Sequence, residues 1–238
     1  MTERLPDISI LYEDNHLLVA VKPCGVLSQS DGSGAPDMLT LLKCYLREKY
    51  AKPGNVFLGL VHRLDRPVGG VMVFARTSKG ASRLSEQVRT RRFEKEYLAA
   101  VSGVLGPPEG TLRGFLTKDD ATGSVSVSEE GTEGKEAVLH YRVLSHSAKP
   151  DGTLLLVRLE TGRAHQIRAQ LAHTGHPIAG DTRYGGRADA NGGFGLHACR
   201  LGFFHPVSGE KLVFAAPPPD AAVWHPHRTV LEAGIPAW

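Results

Sequence analysis

The residues best equipped for chemistry stand together at Val61-His62-Arg63-Leu64-Asp65-Arg66-Pro67-Val68-Gly69-Gly70, where one carboxylate lies between two arginines ahead of a Pro-Val-Gly-Gly turn. Nearby guanidinium groups favour the ionised form of a carboxylate. In that form it can act as a nucleophile or as a general base. Arg-x-Asp-Arg is equally the pattern of a surface salt bridge, so local spacing leaves both readings open. A second stretch, Thr161-Gly162-Arg163-Ala164-His165-Gln166-Ile167-Arg168-Ala169-Gln170-Leu171-Ala172-His173-Thr174-Gly175, gathers cationic and amide groups before a Gly-His-Pro turn. His165, His173 and His176 lie close together in it. Without a third ligand at helical spacing, His-x-x-His is weak evidence for a metal, and none is expected. Gly32-Ser33-Gly34 has neither a Walker lysine nor a dinucleotide fingerprint, so no cofactor is expected either.

The elements that must hold these groups follow from apolar patterning. Two short strands joined by a turn are expected over residues 8–21, leaving through Lys22-Pro23-Cys24-Gly25. Asp37 can cap a helix over 38–50, with Leu39, Leu42 and Leu46 as its inner contacts. A strand over 56–60 delivers the chain to Asp65, and another over 70–75 carries it away, which places Asp65 on a loop fixed by scaffold. Thr77 or Ser78 can cap a helix running to residue 91, with Ala81, Leu84 and Val88 facing inward. Its outer side continues to Lys95 and is basic: Arg76, Lys79, Arg83, Arg89, Arg91, Arg92 and Lys95 stand against Glu86 and Glu94. Such a face suits a phosphate backbone.

A strand over 93–101 carries Tyr97, by default a core tyrosine. Residues 103–134 suggest a hairpin excursion around one short strand, 111–117. Two further strands, 135–145 and 154–160, are expected to meet at a turn, Lys149-Pro150-Asp151-Gly152. A helix is expected to start near Arg163 and end at Gly175, with Ile167 and Leu171 inward. A short strand over 211–215 precedes an irregular tail, 218–238.

His62-Arg63-Leu64-Asp65-Arg66 resembles the signature of the RluA-type pseudouridine synthases, which isomerise selected uridines in RNA. Lys22-Pro23-Cys24-Gly25, Lys95-Glu96-Tyr97-Leu98-Ala99, Gly162-Arg163-Ala164-His165-Gln166-Ile167-Arg168, Gly175-His176-Pro177 and Gly180-Asp181-Thr182-Arg183-Tyr184-Gly185 resemble later segments of that family in the same order. The resemblance runs from about Ile10 to about Pro217. It implies an α+β fold: a pseudouridine synthase-like catalytic domain over 8–217, with a long mixed, mainly antiparallel sheet flanked by helices. It further implies Asp65, Tyr97 and Arg168 as catalytic residues, with Arg168 ion-paired to Asp65. Arg63, His62, Arg66, Arg163, His165, Gln166 and Leu196 would bind substrate, Arg63 taking the space of a flipped-out uridine. Ala164 and Ala169-Gln170 depart from the usual Thr and Val-His, which puts hydrogen bonds around that helix in question.

The remaining composition fits this picture. The chain has 238 residues, 41% apolar and 22% charged, with net charge +3, as an ordinary globular protein would. Three separated cysteines, Cys24, Cys44 and Cys199, suit a reducing compartment. Neither a signal peptide nor a membrane helix is evident, so a cytoplasmic monomer is expected. With the sheet beginning by Ile8, no amino-terminal S4 domain is expected. The function expected is RNA uridine isomerisation in ribosomal or transfer RNA. The alternative is a catalytically silent RNA-binding or ribosome-assembly protein of the same fold, which the joint presence of Asp65, Tyr97 and Arg168 disfavours.

Overall fold

The computed structural model describes residues 8–51, 53–129, 134–148, 151–188 and 193–238. In chain order its elements are β1 (Ile10–Glu13), β2 (Leu17–Lys22), α1 (Met38–Lys49), β3 (Gly59–Leu60), β4 (Gly69–Ala75), α2 (Ser78–Arg89), β5 (Glu94–Ser102), β6 (Glu109–Lys118), β7 (Val125–Ser128), β8 (Lys135–Ala148), β9 (Asp151–Leu159), α3 (Gln166–His173), β10 (Leu196–Phe204), β11 (Lys211–Ala215) and α4 (Arg228–Glu232). This is the expected α+β class, a large mixed sheet with helices. The chain divides into two compact units: residues to Glu94 with Arg200–Ala216, and Lys95–Cys199 with Pro217–Trp238.

In the first unit β2 pairs antiparallel with β1 and with β4, Leu18 opposite Phe74 and Val21 opposite Val71. β11 pairs antiparallel with the second half of β10. Alternate residues Leu17, Val19, Val71, Val73, Leu201 and Phe203 share one core with Leu84 of α2 and Phe93, the period-two pattern of a strand with a buried face. Both helices begin where their caps predict. Asp37 accepts from Thr40 N, and Thr77 from Gly80 N. Gln87 of α2 donates to Phe204 O and accepts from Phe204 N, 2.7 and 2.8 Å, acting as a surrogate strand neighbour.

In the second unit the strand order is β5-β9-β8-β6-β7, every ladder antiparallel. Leu98 and Ala100 of β5 and Leu154 and Leu156 of β9 form its main core with Cys199 and Trp224. Among the described residues no helix is long and apolar enough to cross a membrane.

Four expectations change. Only Gly59–Leu60 of the strand expected over 56–60 is paired. The excursion after Gly103 holds two strands, because β6 draws its backbone bonds from β8 over Glu109–Leu116 while leaving much of its polar face exposed. Of the turn expected at 149–152, Lys149 and Pro150 lie outside the described residues and Asp151 already belongs to β9. The tail is not irregular throughout: Ala222–His227 forms a 3-10 helix that leads into α4. Pro217, Pro218 and Pro219 hide this in the sequence, but burial of Trp224, with Val223, Val230 and Leu231 packed around it, stabilises the segment.

Truncating that anchor tests its weight. Trp224→Ala is expected to cost about 3–5 kcal/mol of unfolding free energy, read from the midpoint of denaturant titration.

Candidate active site

In the first unit the Asp65 loop joins β3 to β4, and Asp65 is partly buried on it. The loop is tied down from several directions. Ser28 Oγ, buried, donates to Leu64 O at 2.7 Å and accepts from Leu64 N at 3.0 Å. Arg66 O accepts from Gly25 N at 2.9 Å and from Lys22 Nζ at 3.1 Å, while Arg66 Nε returns a bond to Gly25 O at 3.1 Å. Val68 N closes the turn on Asp65 O at 3.0 Å. His62 Nε2 accepts from Val73 N at 3.0 Å, which assigns the ring proton to Nδ1, and the ring meets Phe93 edge-on. Arg63 is exposed.

Lys22 is fully buried. Its three donors are matched to three carbonyls, Pro23 O, Val26 O and Arg66 O. Burial pushes its pKa from 10.5 down to about 8, an effect partly offset by the charges of Cys24 and Asp65.

In the second unit the chain turns into α3 through His165, whose φ of 51° is left-handed. That geometry explains why the helix starts at Gln166 rather than near Arg163, and why no side chain caps it. His165 Nδ1 lies 2.7 Å from Tyr184 Oη, which itself accepts from Val125 N. Tyr184 Oη thus ties His165 to the start of β7. Gln166 Oε1 accepts from Thr161 Oγ1 and Arg163 N, at 2.8 and 3.0 Å. Gln170 stands where the resembling family has histidine; its Nε2 reaches Leu112 O and Ala137 O, each at 3.2 Å, and so binds the helix to β6 and β8.

Arg168 is buried and bidentate on Asp181, Nε to Oδ2 at 2.7 Å and Nη2 to Oδ1 at 2.9 Å. Its guanidinium also lies over the Tyr184 and Phe194 rings, 5.0 and 5.4 Å from the centroids. The turn that supplies Asp181 is tight. Gly186 N donates to Asp181 O at 2.8 Å. A Cβ on Gly186 would strike Ile178 O and come within 2.9 Å of Asp181 N.

Residues 16–173 match the family model described as RNA pseudouridylate synthase. The chain belongs to that family. Isomerisation of uridine to pseudouridine in RNA is thus its activity, and RNA its partner. Similar proteins include the ribosomal large subunit pseudouridine synthase D of Vibrio cholerae, 38% identical over 91% of this chain and 69% of that one. The uncharacterized RNA pseudouridine synthase YhcT of Bacillus subtilis is 33% identical over 90% of this chain and 69% of its own. Among solved structures, human RNA pseudouridylate synthase domain containing 4 shares the fold, with a TM-score of 0.75 at 24% identity over 92% and 93% of the two chains. Human RNA pseudouridylate synthase domain containing 1 gives 0.72 at 25% identity, covering 92% of this chain and 86% of that one.

Within this synthase fold the candidate residues fall into two groups. His62, Arg63, Asp65 and Arg66 share one loop of the first unit. Arg163, His165, Gln166 and Arg168 share the entry to α3 in the second, with Tyr97 buried on β5 and Leu196 buried at the start of β10. Arg163 itself is exposed and bonded through Nε to Glu136 O. The carboxylate bidentate on Arg168 is Asp181, whose type and Gly-Asp spacing were visible without its partner. Ser28 was missed because nothing local marks a buried serine as a main-chain clamp. Lys95, counted above with the basic face after α2, is instead partly buried on β5, close enough that a Cβ on Gly162 would lie 2.9 Å from its Nζ. Burial lowers its pKa.

Two outcomes test this electrostatics. Asp181→Asn should lower stability by about 3–5 kcal/mol, since it takes the charge from a carboxylate bonded twice to a buried guanidinium. For Lys22 the folded pKa of about 8 lies below the ordinary 10.5, so between those values the unfolded chain holds more of the proton. Stability owed to this group therefore rises as pH climbs through that window. Denaturant titrations from about pH 7 to 10 should show wild type gaining on Lys22→Met, and a pH-independent difference would remove the shift.

Proposed function

We propose that Asp65 is the essential carboxylate of the isomerisation and that the substrate is ribosomal RNA of the large subunit. The observation that carries the first assignment is the anchoring of the main chain on both sides of Asp65, at Leu64 and at Arg66, by buried groups of residues 22–28. A reactive group must be held close to its productive position, and a loop so anchored meets that need. The choice of ribosomal RNA is supported by relatives named for the large ribosomal subunit.

In this reading the C1′–N1 bond breaks with its electron pair passing to the uracil. Asp65 assists either by attacking C1′ or by taking the neighbouring C2′ proton. The uracil turns, C5 bonds to C1′ as Asp65 leaves C1′ or returns the C2′ proton, N1 takes up a proton, and the C5 proton is lost to solvent. Tyr97 is the group assigned to that proton, and Arg168 supplies positive charge that makes a carboxylate in a dry site tolerable. Arg63, exposed on the loop, takes the place of the extruded base, its flat guanidinium suited to stacking. His62, Arg66, Arg163, His165, Gln166 and Leu196 complete the substrate contacts. The balance needs no oxidant or reductant.

Pseudouridine mapping of total RNA from cells lacking the gene, complemented with wild type or Asp65→Asn, tests both assignments. A large-subunit site should vanish on deletion, return with wild type and stay absent with the variant. A lost site in transfer RNA would overturn the substrate. Restoration of any site by Asp65→Asn would overturn the role of Asp65, and a deletion that removes no site is the result a catalytically silent binder predicts.

A further inference from the structure

The segment that leaves β2 meets the Asp65 loop through two side chains. Ser28 is 5% exposed, and its single hydroxyl serves both main-chain groups of Leu64, donating to O at 2.7 Å and accepting from N at 3.0 Å. A strand neighbour would normally supply two backbone groups for this exchange. Leu64 has no ladder partner of that kind, because β3 ends at Leu60 and β4 begins at Gly69. On the other side of Asp65, Lys22 Nζ binds Arg66 O at 3.1 Å while also binding Pro23 O and Val26 O. One side chain therefore fixes the residue before Asp65 and another the residue after it. Both come from residues 22–28, whose own course Lys22 sets by drawing two of its carbonyls inward.

We propose that Ser28 and Lys22 are positioning residues for Asp65, forming a two-point clamp that sets where its carboxylate stands relative to the bound uridine. The clamp rests on the assignment of Asp65 as the catalytic carboxylate. Neither side chain has to touch the RNA. Ser28 acts through Leu64 and Lys22 through Arg66, so loosening either shifts the carboxylate without removing it. A misplacement of about 1 Å at a reacting group can cost about a hundredfold in rate. The effect belongs in the chemical step, since groups that bind RNA are left in place.

Single-turnover tritium release from RNA labelled at uridine C5, prepared from cells lacking the gene, reads that step directly. At saturating enzyme, Ser28→Ala should lower the rate by about 10- to 100-fold while its affinity for the RNA changes by less than about 2-fold. Ser28→Thr, which keeps the hydroxyl, should recover most of the rate. Thermal melting of each variant separates this from instability: a role in folding alone would lower the melting temperature and leave the rate of the folded enzyme unchanged, and that result overturns the clamp. If Ser28→Ala does not fold, Ser28→Cys replaces the hydroxyl with a weak donor of similar size. An undiminished rate for that variant overturns the clamp equally. Asp65→Asn is run alongside. Activity in Asp65→Asn defeats the assignment of Asp65 itself, whereas an inactive Asp65→Asn beside a fully active Ser28→Ala defeats only the clamp.

Discussion

A loop that leaves a sheet between two strands loses the hydrogen-bonding partners its main chain would have had there, and buried carbonyls left unpaired are costly. In the first unit that constraint is met by a fully buried ammonium. Lys22 takes up Pro23 O, Val26 O and Arg66 O together, so one charge satisfies two stretches of chain 44 residues apart. The cost is visible in its lowered affinity for the proton. What is gained is a fixed path for the chain on one side of Asp65, with the Gly25 backbone exchange and the Ser28 hydroxyl completing the enclosure.

The second unit solves a related problem by different means. Its cation, Arg168, is desolvated by helix and turn but is answered at once by Asp181 and by two aromatic faces. Buried pairs of this kind are not strong sources of stability, since desolvation consumes much of the attraction. Their consequence is geometric: a planar fork bonded through two nitrogens has little freedom to rotate. The same Tyr184 that covers Arg168 also holds His165, so the entry to α3 and the turn after Ile178 constrain one another.

Much of this fold was legible in the residues. Caps at Asp37 and Thr77, the apolar runs of β2 and β4, the alternation at the start of β5, and Gly at the ends of segments each act over a few neighbours, and each was realised nearly where expected. What failed depended on distance. β6 is held by pairing to β8 rather than by its own pattern, and the tail is ordered by Trp224 reaching residues more than a hundred positions earlier. The candidate site divides in the same way. Asp65 draws notice by its flanking arginines, and Arg168 by the resemblance of the segment around it. Ser28 and the Asp181 partnership do not, because a hydrogen bond across 36 residues leaves no periodic trace.

Gly186 illustrates how the tight turn after α3 would express itself in a population of sequence variants. Any side chain there collides with Ile178 O and crowds Asp181 N, so the displaced turn would carry with it a carboxylate bonded to Arg168 rather than a piece of surface loop. A substitution at this exposed-looking glycine-rich stretch would then be scored as benign by proximity to the reacting residues, yet behave in the cell like a charge mutation in the helix itself.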